Sequence, residues 1–208
     1  MTERHLRYGI VGCGMMGCEH IRNINLLDNA SIAAILEPDA DMRSTAAKLA
    51  PDATFVEDVS AMAQRDDIDA LVIASPNHVH IDQIEMLSTN PRPLLVEKPL
   101  YTDTAQAARL EAIAASYKAP VWVAMEYRYM PAVRRLIDEI PASAGDLKML
   151  TIREHRFPFL AKIGDWNRFN SNTGGTLVEK CCHFFDLMRL ITGGEAVRVM
   201  AVSYTHLR

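Results

Sequence analysis

The 208-residue sequence has no apolar run long enough to cross a bilayer, and residues 1–7 are too charged for a secretory leader. A cytoplasmic protein with no membrane partner is expected. Cysteine is scarce: Cys13, Cys18, Cys181 and Cys182 form neither a CxxC pair nor a disulfide framework, so free thiols are expected. A basic excess is also missing. Lys and Arg number 22 against 26 Asp and Glu, a formal charge of -4, which does not suit a phosphate backbone; nucleic acid is not an expected partner. Internal repeats and low-complexity segments are absent too. With 49% hydrophobic residues, the chain can bury a sizeable core.

What the sequence does contain is a rhythm. Short β-rich apolar runs at 8–11, 31–36, 70–74, 93–96 and 120–124 alternate with helix-compatible stretches at 39–49, 78–88 and 103–117. That alternation predicts β-α-β units and an α/β fold with a doubly wound parallel sheet over residues 1–125. The rhythm stops near Met125. Residues 126–208 then read as a second domain: an amphipathic helix at 132–140 bounded by Pro141, an extended run at 146–157, a polar loop through Asn172, a helix over 176–191 and a last strand at 196–202. So few strands make a partial domain, and the tail after 202 has no obvious capping element. A fragment of a longer protein is therefore expected, with a tail that need not be native sequence.

The first β-α turn carries a phosphate-binding pattern. Gly12-Cys13-Gly14-Met15-Met16-Gly17 follows a predicted strand and opens a predicted helix. Gly12 permits the tight turn, Gly14 lets backbone approach a pyrophosphate, and Gly17 lets helix and strand pack closely. The helix start at Met15 and Met16 adds amides and a positive dipole. Glu37 closes the second predicted strand twenty residues after Gly17, where a carboxylate can accept ribose hydroxyls and repel a 2′-phosphate. Pro38 and Asp39 supply no cation, and Arg43 falls on a helix face turned to solvent. The predicted cofactor is NAD rather than NADP.

Two further strand ends face the ligand edge of such a sheet. Ser75-Pro76-Asn77-His78-Val79-His80 follows one, and Glu97-Lys98-Pro99 follows the next. Ser75, Pro76, Asn77, His80, Glu97 and Lys98 are thus candidate cofactor contacts, and Lys98 could also polarise a hydroxyl or carbonyl. In the helix past Gly174-Gly175, Glu179 and His183 are four apart and Asp186 is three further, so all three can share one face. A histidine so flanked suits general-base work, although the same pattern fits a packed helix with polar edges. Cys181-Cys182-His183 is not a metal site, because adjacent helical side chains diverge. Nor do these thiols occupy the strand end or helix start that a nucleophilic cysteine needs.

Taken together, GCGMMG with His20 shortly after it, SPNHVH, EKP, RYMP and GGTLVEKCCHFFDLMRLITG resemble the Gfo/Idh/MocA oxidoreductases over nearly the whole chain. The resemblance implies a Rossmann domain followed by an α/β domain with an open, largely antiparallel sheet that serves substrate binding and, at full length, homo-oligomerisation. It further implies hydride exchange between NAD and a secondary alcohol or ketone of a sugar, inositol or related polyol. His183 would take the hydroxyl proton, Lys98 would stabilise the alkoxide, and Glu179 would fix the histidine or a substrate hydroxyl. Arg128, Trp166 and Arg168 are further substrate candidates. Two departures stand out: the family commonly has Asp where Glu179 stands and a small residue, often Gly, at Cys181. The segment after Ala201 also carries no family motif. The competing readings are a non-catalytic NAD-binding sensor on the same fold and an inactive fragment. A tyrosine-dependent short-chain dehydrogenase is excluded, since no Tyr has Lys four residues later.

Overall fold

Strict alternation of large aliphatic residues makes the central strands two-faced. In β1 (Leu6–Val11), Ile10 and Val11 are both fully buried but belong to different cores. In β2 (Ala30–Leu36), Ile35 faces one core and Ala34 and Leu36 the other; in β4 (Ala70–Ile73), Val72 opposes Leu71 and Ile73. Strands buried on both faces belong in a parallel sheet covered by helices on each side. A computed structural model describes residues 4–143, 145–155 and 160–202 and has that arrangement. With β3 (Thr54–Val56), β5 (Leu94–Val96) and β6 (Val121–Val123), the six strands run in the order β3-β2-β1-β4-β5-β6, all parallel. The order reverses between β1 and β4, which opens a crevice at their carboxyl ends.

The helices fall into place by the same logic. Helix α1 (Met15–Ile24) buries Cys18, Ile21 and Ile24, and α2 (Ala40–Leu49) buries Ala46, in the core that holds Ile10, Ile35 and Val72. On the opposite face, α3 (Val59–Ala63), α4 (His80–Leu87) and α5 (Thr104–Ser116) contribute Val59, Met62, Ile81, Ile84, Leu87 and Ile113. Three of these starts are capped by aspartates: Asp39 accepts from the Asp41 and Met42 amides, Asp58 from Ala61 and Asp103 from Gln106. Each such cap is worth about 1 kcal/mol. Neither β3 nor α3 is among the predicted elements; three residues and five are too short for periodicity to register.

By its contacts the chain divides into Met1–Ala124 with Pro158–Lys180, and Met125–Phe157 with Cys181–Arg208. The second domain is expected to run unbroken over 126–208, whereas the described residues 160–180 pack with the first unit. In the second unit, α6 (Pro131–Ser143) covers the predicted amphipathic stretch and continues past Pro141. After the short α7 (Asn170–Thr173), the helix expected over 176–191 is two helices, α8 (Thr176–Glu179) in the first unit and α9 (Cys182–Thr192) in the second. Neither extended run forms a strand among the described residues of 146–155 and 196–202. Val197, Val199, Met200 and Val202 are exposed there. β-branched composition alone does not hold a strand that finds no partner. Among the described residues no helix is long and apolar enough to cross a membrane.

Candidate active site

The glycine turn is built by exclusion. Gly12 has φ of +89°, and a Cβ there would lie 2.6 Å from the Ser75 amide nitrogen; at Gly17 it would lie 2.0 Å from the Gly12 carbonyl oxygen. No larger residue fits at either position. Gly14 differs: a Cβ would meet nothing nearer than the Met42 sulfur at 3.9 Å. The open space beside Gly14, at the start of the ten-residue helix α1, suits the close approach of a pyrophosphate. Met15 is exposed and Met16 half-buried at the same helix start.

Glu37 is buried directly beneath this turn. Its Oε2 accepts from the Cys13 amide at 2.5 Å and its Oε1 from the Asp39 amide at 2.9 Å. The carboxylate therefore braces the glycine loop, a role that the ribose assignment did not include. Each oxygen has a second lone pair, so the two roles are compatible. Arg43 lies 4.6 Å over the Phe55 ring and 3.8 Å from Glu57. The Cys13 thiol is pushed far up, by burial first and then by Glu37, so it stays protonated and serves as packing.

Across the crevice, a 3₁₀ turn over Asn77–Val79 leads into α4. His80, fully buried, lies with Nδ1 2.9 Å from the Pro99 carbonyl oxygen and Nε2 2.9 Å from that of Ser75. It is a strut between the segments carrying Asn77 and Lys98 rather than a group open to cofactor. Ser75 donates its hydroxyl to Gln83 at 2.5 Å. Pro76 precedes the turn and is half-buried. Asn77 is buried, and its Nδ2 has no acceptor among the described residues. A buried amide donor without an acceptor costs about 1–3 kcal/mol, so Asn77 is fitted to receive a cofactor oxygen.

The turn after β5 ties these pieces together. Glu97 Oε1 lies 2.8 Å from His20 Nε2, linking the EKP turn to α1. Lys98 donates from Nζ to the Glu179 carbonyl at 3.1 Å. The sequence paired Glu179 with this site through its carboxylate; in the first unit it is the backbone carbonyl that meets Lys98. Residues 160–180 lie on the same edge. Trp166 packs at 6.2 Å from the His78 ring, and Arg168 is exposed and paired with Asp165 at 3.0 Å. Lys162, absent from the sequence candidates, is half-buried and near enough to Lys98 and Glu179 for their charges to act on it.

The second unit has its own constellation. His183 is buried near the start of α9, its Nε2 3.4 Å from Glu126 Oε1 and its ring stacked on Tyr127 at 4.3 Å and 8°. Both partners come from the 3₁₀ turn Glu126–Tyr129. Asp186, read as a carboxylate beside the histidine, is instead clamped by Arg128 in a two-point ion pair, with Nε to Oδ2 at 2.5 Å and the second nitrogen on Oδ1. That pair raises the Arg128 pKa and occupies the guanidinium offered as a substrate contact. The predicted face of Glu179, His183 and Asp186 presumed one continuous helix, and the α8–α9 break at Lys180 removes that premise. Only the proximity of Glu126 and Tyr127 to the RYMP motif could have drawn attention to them.

With this geometry in hand, comparison with known proteins is decisive. Residues 6–125 match the family described as "Oxidoreductase family, NAD-binding Rossmann fold", and residues 142–207 match its "C-terminal alpha/beta domain". The chain belongs to the Gfo/Idh/MocA oxidoreductase family. The second match extends to residue 207, past Ala201, where no family motif is expected from the sequence; residues 203–207 lie outside the described structure. Within the family, the chain is 31% identical over 202 residues to inositol 2-dehydrogenase of Corynebacterium glutamicum (strain R), covering 95% of this chain and 57% of that protein. A solved myo-inositol 2-dehydrogenase from Lactobacillus plantarum shares the fold with a TM-score of 0.78 at 22% identity, covering 91% of this chain and 57% of that one. The Lactobacillus casei myo-inositol dehydrogenase, solved with NAD(H) and myo-inositol, aligns with a TM-score of 0.61 at 25% identity, covering 67% of this chain and 42% of that one. This Gfo/Idh/MocA chain spans about 57% of the length of its curated relative.

Proposed function

We propose that this protein is an NAD-dependent oxidoreductase that interconverts a secondary alcohol and a ketone on a sugar, inositol or related polyol. The observation that carries this reading is the Lys98 ammonium, held at 3.1 Å by the Glu179 carbonyl at the carboxyl edge of the NAD-binding sheet. A lysine in that position stabilises negative charge developing on a substrate oxygen. His183, stacked on Tyr127 and facing Glu126, takes up the hydroxyl proton during oxidation and returns it during reduction. Glu126 favours the imidazolium so formed and orients the ring.

The cofactor fits the first unit: Gly14 leaves room for the pyrophosphate, Glu37 lies where a ribose is recognised, and Asn77 presents a buried amide donor. When bound, NAD supplies the hydride acceptor or donor for the reaction. Met15, Met16, Ser75, Pro76, His80 and Glu97 line or brace the same crevice; Trp166, Arg168 and Arg128 border the substrate, and Glu179 fixes a substrate hydroxyl. In this reading residues 1–125 bind the nucleotide, 126–208 contribute to substrate binding and to a homo-oligomer at full length, and the protein works in the cytoplasm.

The test is direct. The 208-residue chain is mixed with NAD and a panel of myo-inositol, scyllo-inositol and glucose while reduced nicotinamide is followed by absorbance. Formation of NADH with at least one polyol is expected. NAD binding with no turnover on any of them, nor on the corresponding ketones with NADH, would favour a nucleotide-binding sensor and overturn the enzymatic reading.

A further inference from the structure

The turn that carries Lys98 is anchored by the residue before it. Alternation along β5 puts Leu95 against the core that holds α1 and Val96 in the opposite one. The Glu97 amide still donates to the Ile73 carbonyl at 2.8 Å, so the alternation runs one residue further and Glu97 returns to the α1 side. There its side chain is 8% exposed, and among the described residues the hydrogen-bond partner of its carboxylate is His20 Nε2, at 2.8 Å. An ionised carboxylate only accepts, so Nε2 carries the proton of this bond. His20 reaches Glu97 because α1 lies close to the sheet. Gly17, one turn earlier, approaches the ends of β1 and β4 so closely that a Cβ would sit 2.0 Å from the Gly12 carbonyl oxygen and 3.7 Å from the Ala74 Cβ. Residues three apart share a side of a helix, and His20 follows Gly17 onto the side that meets the sheet.

The bond matters to more than the seating of α1. A carboxylate that loses its donor while buried is strongly destabilised and is driven toward water. Glu97 shares a peptide unit with Lys98, so a movement that rehydrates the one carries the backbone of the other with it. Lys98 has its Nζ held at 3.1 Å from the Glu179 carbonyl, and a displacement of about 1 Å is enough to spoil such an aim.

We propose that His20 is a positioning residue for the reaction: by holding Glu97 it fixes the turn from which Lys98 meets the substrate oxygen, and it ties that turn to the helix whose start receives the pyrophosphate. The inference rests on the reading of Lys98 given above. His20, Glu97, Lys98 and Glu179 all belong to one unit, so the 208-residue chain is the proper object for the test.

Turnover on the best polyol of the panel at saturating NAD is measured beside NAD titrations by fluorescence and thermal melts. Three substitutions separate the bond from the bulk of the side chain. In His20→Gln the amide nitrogen falls close to the position of Nε2, in His20→Asn it falls close to that of Nδ1 and short of Glu97, and His20→Leu has no donor. His20→Gln is expected to keep turnover within about threefold of wild type, whereas His20→Asn and His20→Leu lose roughly 10–100-fold, with NAD affinity changed by less than about threefold throughout. The inference alone is overturned if His20→Asn and His20→Leu turn over like wild type, if His20→Gln is as impaired as His20→Leu, or if the loss follows NAD affinity and vanishes at saturation. Where His20→Leu does not fold, the difference between His20→Gln and His20→Asn decides. A wild type that binds NAD but turns over no polyol overturns the proposed function together with this inference.

Discussion

Cys13 and Glu37 are joined by a hydrogen bond of 2.5 Å from the Cys13 amide to the Glu37 carboxylate, so the acid at the end of β2 holds the glycine turn in shape from below. Glu37→Ala leaves the Cys13 and Asp39 amides without their acceptor and also removes the repulsion of a 2′-phosphate. Unfolding stability is expected to fall by about 2–4 kcal/mol in denaturant titration. Among the folded molecules, the preference for NAD over NADP should narrow. Fluorescence titration of wild type that finds NADP bound as tightly as NAD would sink the cofactor assignment.

The three glycines of the turn predict three different phenotypes. Gly17→Ala drives a methyl to 2.0 Å from the Gly12 carbonyl oxygen, a backbone atom that has no easy retreat. A loss of about 1–3 kcal/mol or more is expected, with NAD affinity lost as the turn deforms. Gly12→Ala adds a positive φ to a backbone clash and should fare no better. Gly14→Ala makes only an ordinary van der Waals contact with the Met42 side chain and should unfold like wild type in a thermal melt while binding NAD more weakly. Equal melting temperatures for Gly14→Ala and Gly17→Ala would contradict this account.

Much of the first unit was legible because its signals are local. Five of the six strands, the glycine fingerprint, Glu37 and Lys98 each announce themselves within a few residues, and the doubly wound topology follows from their alternation. What escaped is what depends on distance or on a partner. The strap 160–180 joins the first unit through contacts such as Trp166 with His78, 88 residues apart by number. Arg128 claims Asp186 across 58 residues, and Glu126 faces His183 from a turn that no periodicity marks. The helix break at Lys180 is equally silent, since every residue around it is an acceptable helix former.

His80 predicts a pH dependence of stability. Burial pushes its pKa below the usual histidine value, hydrogen bonds to Pro99 and Ser75 and the Glu97 charge act the other way, and His78 adds to the depression. A depressed histidine binds a proton in the unfolded chain before it does so in the folded one. Its contribution to stability is therefore complete above about pH 6.5 and is lost as pH falls below that value. The slope from this one group cannot exceed about 1.4 kcal/mol per pH unit. His80→Gln should flatten the fall in unfolding free energy between neutral and mildly acidic pH. An unchanged slope would show that other groups dominate the acid response.

The last prediction separates chemistry from cofactor binding. Lys98→Met removes the charge while keeping most of the side-chain length, and His183→Asn removes the base while keeping some hydrogen-bonding capacity. Loss of a general base costs roughly 10²–10⁴-fold in rate, so turnover by His183→Asn should fall by that much with NAD affinity little changed. Lys98 also neighbours the cofactor crevice through the Glu97–His20 link, so Lys98→Met should lower turnover and weaken NAD binding by a smaller factor. Glu126→Gln tests the partner that spacing alone did not reveal. It keeps a hydrogen-bonding group 3.4 Å from His183 but withdraws the charge that favours the imidazolium. Its turnover should lie between wild type and His183→Asn, and Tyr127→Leu, which removes the stacked ring, should act in the same direction. Steady-state rates on the best polyol of the panel, measured beside NAD titrations for all four variants, provide the check. Near-wild-type turnover by His183→Asn would make the α9 histidine a packing residue and require another base.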